Sequence, residues 1–255
     1  MTMNLRFNLA LADSYKSRSQ QIRVLSEDWL RRNTSCPCCG RTRLEQSPNN
    51  APVNDFFCVR CGETFELKSK SGSLGRKIND GAYETMLARI SGNRNPNLFV
   101  LNYDHDTVRN LFIVPKFFFL PELIEKRPPL APSSRRAGWV GCNILFDKIP
   151  KQGRIAMVID GQARKQNDVV KSYEQSRSLQ TNDLSRRGWL FDVLACVNAI
   201  ETEEFSLSDI YVFAETLAKK HPENNNIQAK IRQQLQLLRD KKHLIFLGRG
   251  IYKKI

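Results

Sequence analysis

Two carboxylates and a lysine bracket a pair of cysteines in the segment NDFFCVRCGETFELKSK, residues 54–70. Glu66 and Lys68 are two residues apart in a strand-like stretch, so their side chains fall on the same face of a strand. Asp55 precedes Glu66 by eleven residues, on the other side of the cysteine pair. If the cysteines form the tip of a hairpin, the two flanking strands are neighbours. The sequence then predicts that Asp55, Glu66 and Lys68 converge.

These residue types suit the hydrolysis of a phosphodiester. Two close carboxylates repel each other, and a divalent cation such as Mg2+ relieves that repulsion because it prefers hard oxygen ligands. The ion can bind the scissile phosphate and activate a water. A neighbouring lysine can orient or deprotonate that water and offset charge in the transition state. The spacing D-x(10)-E-x-K also arises by chance on a charged strand face, so this alternative stays open for the pattern taken alone.

Four cysteines form two C-x-x-C pairs, Cys36 with Cys39 and Cys58 with Cys61, separated by eighteen residues. This spacing predicts a tetrahedral zinc site with four thiolate ligands, with Cys38 as a spare. A site closed by four cysteines has no open coordination position, so we expect it to be structural. Buried free thiols and a redox-active C-x-x-C pair are the alternatives.

The chain is strongly basic. Its 255 residues carry 40 Lys and Arg against 26 Asp and Glu, a formal net charge of +14. Such an excess favours a polyanionic partner, because phosphate groups neutralise Lys and Arg and release counterions. A generally basic, soluble surface is the alternative. The hydrophobic content of 41% indicates a packed core in one large or two modest domains.

Several functional classes find little support in the sequence. Three histidines in the whole chain leave little for histidine-dependent nucleases or Ser-His-Asp hydrolases. The motifs GxGxxG and GxxxxGK[ST] are absent. There is no apolar run of ~18 residues, and no targeting segment is expected. An odd number of cysteines, four of them in close pairs, indicates metal binding rather than disulfides. We therefore expect a soluble, cytoplasmic protein that does not bind membranes.

The first part of the chain predicts an α/β or α+β core. Ile22, Leu25 and Trp29 recur at helical spacing in an N-terminal helix. A second helix is predicted over NDGAYETMLARIS, residues 79–91. Strands are predicted over DFFCV, TFELKSK, NLFVLNY, NLFIVPKFFF and RIAMVID.

A polar segment, residues 167–185, predicts a domain boundary and divides the chain into domains 1–183 and 184–255. Three amphipathic helices are expected beyond it, within RGWLFDVLACVNAIE, FSLSDIYVFAETLAKKH and NIQAKIRQQLQLLRDKKH. Ser206 or Ser208 is the expected N-cap of the second helix. Two short strands around Gly248-Arg249-Gly250 complete the elements of a winged helix, a helix-turn-helix variant that usually binds DNA.

The motifs and their order resemble the methyl-directed type II restriction endonucleases of the DpnI type. The likeness covers nearly the whole chain through YKSRSQ, CPCCG, DFFCVRC, FELKSKSG, INDGAY, LAPSSRRAGWVGCNI, GRIAMVIDGQ, KIRQQLQLLRDK and GRGIYKK. The resemblance implies a PD-(D/E)XK nuclease core with an inserted zinc site and a C-terminal winged helix. It also implies Mg2+-dependent cleavage of both DNA strands at GATC carrying N6-methyladenine.

The resemblance also implies roles for individual residues. By position, Asp55, Glu66 and Lys68 fall on the catalytic residues of the family, and the Leu67 carbonyl is implied as a further Mg2+ ligand. The signature proline, Pro52, is not adjacent to the aspartate, which is a departure from the family pattern.

Candidate DNA-binding residues lie in three places. In SSRRAGWVG, Arg135 and Arg136 suit phosphate or guanine, and the Trp139 indole offers an apolar surface for a methyl group, although ordinary packing of Trp139 is the alternative. In the third C-terminal helix, a buried stripe is expected from Ile227, Ile231, Leu235 and Leu238. The predicted DNA-binding residues outside the loop are Lys230, Arg232, Gln233 and Gln236 on that helix, and Arg249 and Lys253 in the wing.

Two alternatives to a methylation-dependent endonuclease stay open at this point. One is a zinc-stabilised winged-helix regulator in which the acids are incidental. The other is a catalytically dead nuclease kept as a methyladenine reader. The expected partner is double-stranded DNA methylated on adenine, and we expect a monomer without an obligate protein partner.

Overall fold

The computed structural model describes residues 3–48 and 54–255. The signature proline Pro52 lies outside the described residues. The chain forms two compact units, Met1–Arg177 and Ser178–Ile255. The domain boundary between residues 183 and 184 stays a prediction. No helix in the described part of the chain is long and apolar enough to cross a membrane.

The N-terminal unit is a mixed α/β fold. Its helices are α1 (Arg18–Asn33), α2 (Tyr83–Ser91) and α3 (Gln166–Arg177). Its strands are β1 (Glu45–Gln46), β2 (Phe56–Phe57), β3 (Thr64–Ser71), β4 (Lys77–Ala82), β5 (Asn97–Asp104), β6 (Thr107–Val114), β7 (Ile124–Lys126), β8 (Gly141–Leu145), β9 (Ile155–Ile159) and β10 (Gln162–Ala163). Short 3-10 turns lie at Leu9–Ala12, Lys116–Phe118, Pro121–Leu123, Phe146–Lys148 and Lys151–Gly153.

A seven-stranded sheet forms the centre of this unit, in the order β1-β2-β3-β5-β6-β9-β10. Strands β3 and β5 pair in parallel, and the other neighbours pair antiparallel. The first six residues of β5 are buried, which is typical of a central strand covered on both faces. The predicted apolar stripe of α1 packs on the core, with Leu25 and Trp29 buried and Ile22 partly buried.

A second, smaller sheet of three strands has the order β4-β8-β7. It corrects one prediction, because the segment predicted to be helical from residue 79 begins as strand, and helix α2 starts at Tyr83. The reason is tertiary: residues 77–82 pair with β8, for example Asp80 with Cys142.

The strand predicted over NLFIVPKFFF is also shorter than expected. Strand β6 ends at Val114, before Pro115, which has no N–H to donate to a strand ladder.

The Asn97 side chain, at the start of β5, forms hydrogen bonds with three other segments of the chain. Its side chain is fully buried and its Nδ2 donates to Glu63 Oε2 (2.9 Å) and to the Thr64 carbonyl (3.1 Å). Its Oδ1 accepts from the Lys116 amide (3.0 Å) and from the Tyr173 hydroxyl (2.8 Å). Four hydrogen bonds therefore depend on one side chain.

Asn97→Ala is expected to lower the free energy of unfolding by about 3 kcal/mol, because it leaves buried donors and acceptors without partners. Urea unfolding followed by circular dichroism measures the change. Asn79→Ala removes an exposed asparagine from a strand of the same unit and is expected to change stability by about 0.5 kcal/mol or less. Equal stabilities of the two variants would contradict the role assigned to Asn97.

The C-terminal unit combines helices with a small three-stranded sheet. Its helices are α4 (Leu184–Ala199), α5 (Leu207–Tyr211), α6 (Ala214–Lys220) and α7 (Ile227–Asp240), and its strands are β11 (Glu204–Ser206), β12 (Leu244–Gly248) and β13 (Ile251–Lys254). The sheet order is β11-β13-β12. The predicted terminal hairpin is present, with Gly248, Arg249 and Gly250 all at positive φ in its turn.

The second predicted helix of this unit was wrong in extent. Its first residues form β11, because Phe205 pairs with Tyr252 of β13, and the remainder divides into α5 and α6. Ser206 is the N-cap of α5 and forms a capping box with Asp209. Of the two predicted N-caps, Ser206 is therefore the one confirmed. The predicted mixed α/β domain with a four-cysteine cluster is confirmed, and the C-terminal unit has the predicted terminal hairpin and helices, with the change in extent described above.

Candidate active site

A short hairpin connects the cysteine turn to the candidate catalytic residues. Strands β2 and β3 pair antiparallel, with Phe56 opposite Phe65. Asp55 lies at the base of this hairpin, where its amide donates to the Phe65 carbonyl (2.9 Å). The backbone of Asp55 therefore lies beside the start of β3, one residue before Glu66.

The tip of the hairpin carries one half of a four-cysteine cluster. The Sγ atoms of Cys36 and Cys61 are 3.7 Å apart, and those of Cys39 and Cys58 are 3.6 Å apart. All four sulfurs lie within 4.8 Å of one another. Zinc–sulfur bonds of about 2.3 Å in a regular tetrahedron place the sulfurs about 3.8 Å apart. The cluster is therefore consistent with a zinc site.

The two cysteine turns have the same backbone geometry. In one, the Gly40 amide donates to the Cys36 carbonyl (2.9 Å), and in the other the Gly62 amide donates to the Cys58 carbonyl (2.8 Å). Both glycines have positive φ, 75° and 71°, a conformation that costs a side-chain-bearing residue free energy. Each turn thus presents two thiols on the same side of the chain.

Asp55 comes together with Glu66 and Lys68, which both lie on β3. Asp55 Oδ2 accepts a hydrogen bond from the Leu67 amide (2.7 Å), which holds this carboxylate next to the β3 backbone. Lys68 Nζ lies 2.6 Å from Glu66 Oε1. The structure therefore places the two acids and the lysine in one site, as the spacing predicted, with the Leu67 peptide between them.

A third carboxylate, from Asp80, belongs to the same cluster, and the sequence pattern does not predict it. Asp80 Oδ1 lies 2.6 Å from Lys68 Nζ, and 6% of the Asp80 side chain is exposed. Asp80 lies on β4, outside the seven-stranded sheet that carries the other residues. Sequence spacing carries no signal for it, because its position depends on the pairing of β4 with β8.

The cluster is rich in negative charge. Burial, together with the negative charges of Asp80 and Asp55, raises the pKa of Glu66 to about 7. The ammonium of Lys68 lowers this pKa but does not cancel the rise. Burial lowers the pKa of Lys68, but Glu66 and Asp80 outweigh it and raise that pKa above its usual range. Three carboxylates around one ammonium leave a formal charge of −2 when all are ionised. Oxygen-rich surroundings with excess negative charge fit a divalent cation such as Mg2+.

A cleft of about 360 Å3 opens beside β3, between α1 and β4. Its walls include the basic residues Arg23, Lys68, Lys70 and Lys77. Arg23 Nε donates to Glu27 Oε1 (2.6 Å), and Glu27, with a smaller contribution from the charge of Asp55, raises the pKa of Arg23. A basic wall next to a carboxylate cluster allows a polyanion to approach acids that would otherwise repel it.

The loop of SSRRAGWVG lies between β7 and β8. Arg135 and Arg136 are exposed and Trp139 is partly buried. The Arg136 guanidinium carbon lies 4.6 Å from the centre of the Trp139 ring. The ring packs on Gly141, where a Cβ atom would lie 2.8 Å from two ring carbons. Gly141 thus makes room for the indole, which is partly buried.

The candidate residues of α7 lie mostly opposite its buried stripe. Ile231, Leu235 and Leu238 are buried as predicted, while Ile227 is partly buried. Arg232, Gln233 and Gln236 are exposed, and Lys230 is partly buried with its Nζ 5.8 Å from the centre of the Trp189 ring. In the wing, Arg249 is exposed, and Lys253 Nζ is 3.5 Å from Glu204 Oε1.

Models of known protein families match both parts of the chain. The Dam-replacing family (DpnI) matches residues 3–182. The Dam-replacing HTH domain matches residues 185–254. The two matches follow one another in the order of the two compact units and together cover nearly all of the sequence. The chain therefore belongs to the Dam-replacing family, the DpnI-type methyl-directed restriction enzymes with a C-terminal helix-turn-helix domain.

Proposed function

We propose that this restriction nuclease is a Mg2+-dependent type II enzyme that hydrolyses both strands of double-stranded DNA at GATC when the adenine carries an N6-methyl group. The observation that carries the proposal is the partly buried cluster beside β3, in which Lys68 Nζ lies 2.6 Å from Glu66 Oε1 and the Leu67 amide donates to Asp55 Oδ2 at 2.7 Å. The family supports DNA cleavage directed by methylation. The exact sequence and the metal dependence go beyond it.

In this proposal, the metal-binding groups are the carboxylates of Asp55 and Glu66 and the Leu67 carbonyl. Mg2+ would lower the pKa of a bound water and stabilise negative charge on the phosphate and the leaving oxygen. Asp55 is held ready for this role because the Leu67 amide occupies only one of its two oxygens, Oδ2. Glu66 is buried among other acids, so a cation would stabilise its charged form.

Lys68 would orient the attacking water and offset charge on the phosphate. Its ammonium already donates to two carboxylates, and a third N–H can point toward the substrate. A fixed ammonium near the scissile phosphate stabilises the transition state more than a mobile one, because no reorganisation is required during the reaction.

The exposed loop and the C-terminal domain would read the DNA. The Trp139 indole would contact the methyl group, and Arg135 and Arg136 would bind phosphate or guanine. The cation–π contact of Arg136 with the Trp139 ring supports a common orientation of both side chains.

Helix α7 would enter the major groove in the manner of a recognition helix. The exposed Gln233 and Gln236 suit adenine edges, whereas Arg232 and Lys230 suit guanine or phosphate. Arg249 and Lys253 of the wing would contact phosphate or the minor groove. Double-stranded DNA methylated on adenine would be the partner of both domains.

Digestion of one plasmid tests the function. The plasmid is prepared with and without adenine methylation and is incubated with the protein in Mg2+ and in EDTA. We expect linear fragments only from methylated DNA in Mg2+. Mapping of the fragment ends to GATC sites tests the proposed sequence.

Other results would favour the alternatives. Binding of methylated DNA without cleavage in Mg2+ would indicate a catalytically dead reader. Equal binding of both plasmids without cleavage would indicate a DNA-binding regulator. Cleavage in EDTA would contradict a divalent metal in the mechanism.

A further inference from the structure

Asp80 contacts the candidate catalytic lysine from a different sheet. Its side chain is 6% exposed, and its Oδ1 lies 2.6 Å from Lys68 Nζ. Burial of a charged group is costly unless the group is paired, and Lys68 is the pairing group here. Asp80 therefore lies in the site without being one of the residues that the nuclease pattern singles out.

The backbone of β4 directs Asp80 toward Lys68. The pairing of β4 with β8 is regular from Lys77 to Asp80, where Asp80 lies opposite Cys142, and shifts register before Ala82. An irregularity of this kind changes the direction of neighbouring side chains and is frequent next to active sites. The Gly81 amide, within the irregularity, donates to Asp80 Oδ1 (2.7 Å) and fixes the orientation of the carboxylate.

The Glu66 carboxylate is a partner of Lys68 and, in the proposed mechanism, also a ligand of the metal. Its Oε1 lies 2.6 Å from Lys68 Nζ, yet the proposed mechanism requires its carboxylate to bind a divalent cation. If Glu66 were the only partner of Lys68, the ammonium would compete with the metal for that carboxylate. Asp80 offers Lys68 a second partner at the same distance, 2.6 Å, that is not required for the metal.

We infer that Asp80 is a positioning residue of this nuclease site: it holds the Lys68 ammonium in place while Glu66 turns toward the metal. The inference rests on the proposed function and adds a residue and a role to it. Asp80 acts through Lys68 and does not bind the metal or the DNA.

A double-mutant cycle between Asp80 and Lys68 tests this role. Asp80→Asn keeps the size of the side chain and an oxygen that can accept from Gly81, but removes the charge that binds Lys68. The cleavage rate with enzyme in excess is expected to fall 10- to 100-fold, with an unchanged Kd for methylated DNA. In the Lys68→Met background, Asp80→Asn is expected to change the residual rate less than threefold, because the group that it positions is gone.

Binding of Mn2+, measured by electron paramagnetic resonance without DNA, gives a readout independent of activity. Asp80→Asn is expected to weaken Mn2+ binding about tenfold in the native background, because Lys68 then pairs with Glu66 alone. In the Lys68→Met background, the weakening is expected to be less than threefold. Equal weakening in both backgrounds would show that Asp80 acts on the metal directly and would overturn the inference.

Two further variants complete the design. Glu125→Gln removes another carboxylate of the small sheet that pairs with a lysine, Lys77, at 2.6 Å, and is expected to cleave like the wild type. Asp80→Glu keeps the charge and covers the case in which Asp80→Asn does not fold. It is expected to retain Mn2+ affinity within threefold and to lose about tenfold in rate, and Mn2+ binding weakened tenfold would overturn the inference.

The inference and the proposed function fail in distinguishable ways. Wild-type protein that cleaves methylated DNA in Mg2+, together with Asp80→Asn protein that cleaves equally fast, overturns only the role of Asp80. Wild-type protein that neither cleaves nor binds Mn2+ overturns the function, and the role of Asp80 with it.

Discussion

Replacement of Asp55 by alanine is expected to abolish cleavage while binding of methylated DNA is retained. The carboxylate is held at the start of β3 by the Leu67 amide, next to Glu66, where it would bind the divalent cation. Loss of a metal-binding carboxylate removes several kcal/mol of transition-state stabilisation, and about 4 kcal/mol corresponds to a thousandfold in rate. The candidate DNA-binding residues lie in other elements, so the Kd for DNA is expected to change little.

The alanine variant also removes a hydrogen-bond acceptor, so stability has to be separated from chemistry. Asp55→Ala leaves the Leu67 amide without this partner, which costs about 1–3 kcal/mol if the amide stays buried. Asp55→Asn keeps an oxygen for that amide and removes the charge, so it is expected to be inactive and close to wild type in stability.

The measurements are cleavage in Mg2+, the Kd for methylated DNA in EDTA, and urea unfolding. Asp104→Ala, which removes a half-exposed aspartate at the end of β5 in the same sheet, serves as the matched control and is expected to cleave normally. Full activity of Asp55→Asn would remove Asp55 from the metal site.

Loss of the cysteine cluster is expected to have an equally large effect on the N-terminal domain. The four sulfurs are arranged for one zinc ion per chain, at spacings of 3.6 and 3.7 Å across the two turns. Zinc binding to four-ligand sites contributes about 10–16 kcal/mol. A typical domain is stable by only about 5–15 kcal/mol, so the metal contribution is comparable with the whole stability.

Cys39→Ser is therefore expected to lose the zinc and, with it, the fold of the domain. The change also affects the site, because Cys58 and Cys61 close the hairpin that places Asp55 beside β3. Zinc content measured by mass spectrometry and thermal unfolding followed by circular dichroism report the two effects. Cys38→Ser changes a buried cysteine of the same turn that is outside the cluster, and it is expected to retain one zinc per chain.

A folded wild-type protein that contains no metal would contradict the zinc site. A Cys39→Ser protein with unchanged zinc content would remove Cys39 from the ligand set and leave the other three cysteines to be tested in the same way.

Local chemistry made much of this protein predictable from its sequence. Two C-x-x-C turns bring thiols together whatever the rest of the chain does, because each turn is closed by hydrogen bonds between residues four positions apart, such as Gly40 with Cys36 and Gly62 with Cys58. The convergence of Asp55 and Glu66 followed for a similar reason. Asp55 directly precedes one strand of a short hairpin and Glu66 lies on the other, so no long-range contact is needed to predict that they meet.

Helical periodicity was equally local in α1 and α7. Leu25 and Trp29 in α1, and Ile231 and Leu235 in α7, are buried where their spacing predicted. Helical spacing gave a wrong prediction where the segment pairs with another strand instead. Residues 79–82 are part of β4, and residues 205–206 are part of β11, because β8 and β13 supply hydrogen bonds that a helix would otherwise make within itself.

The amino-acid sequence alone determined a cysteine cluster, two acids and a lysine on one hairpin, and a basic chain with a helix-turn-helix domain at its end. Only the tertiary structure decided that Asp80 completes the charge cluster. Asp80 meets Lys68 through the pairing of β4 with β8, and its partner there, Cys142, is 62 residues further along the chain. Contacts over such separations depend on which strands pair in the folded protein, and this pairing cannot be predicted from the local spacing of residues.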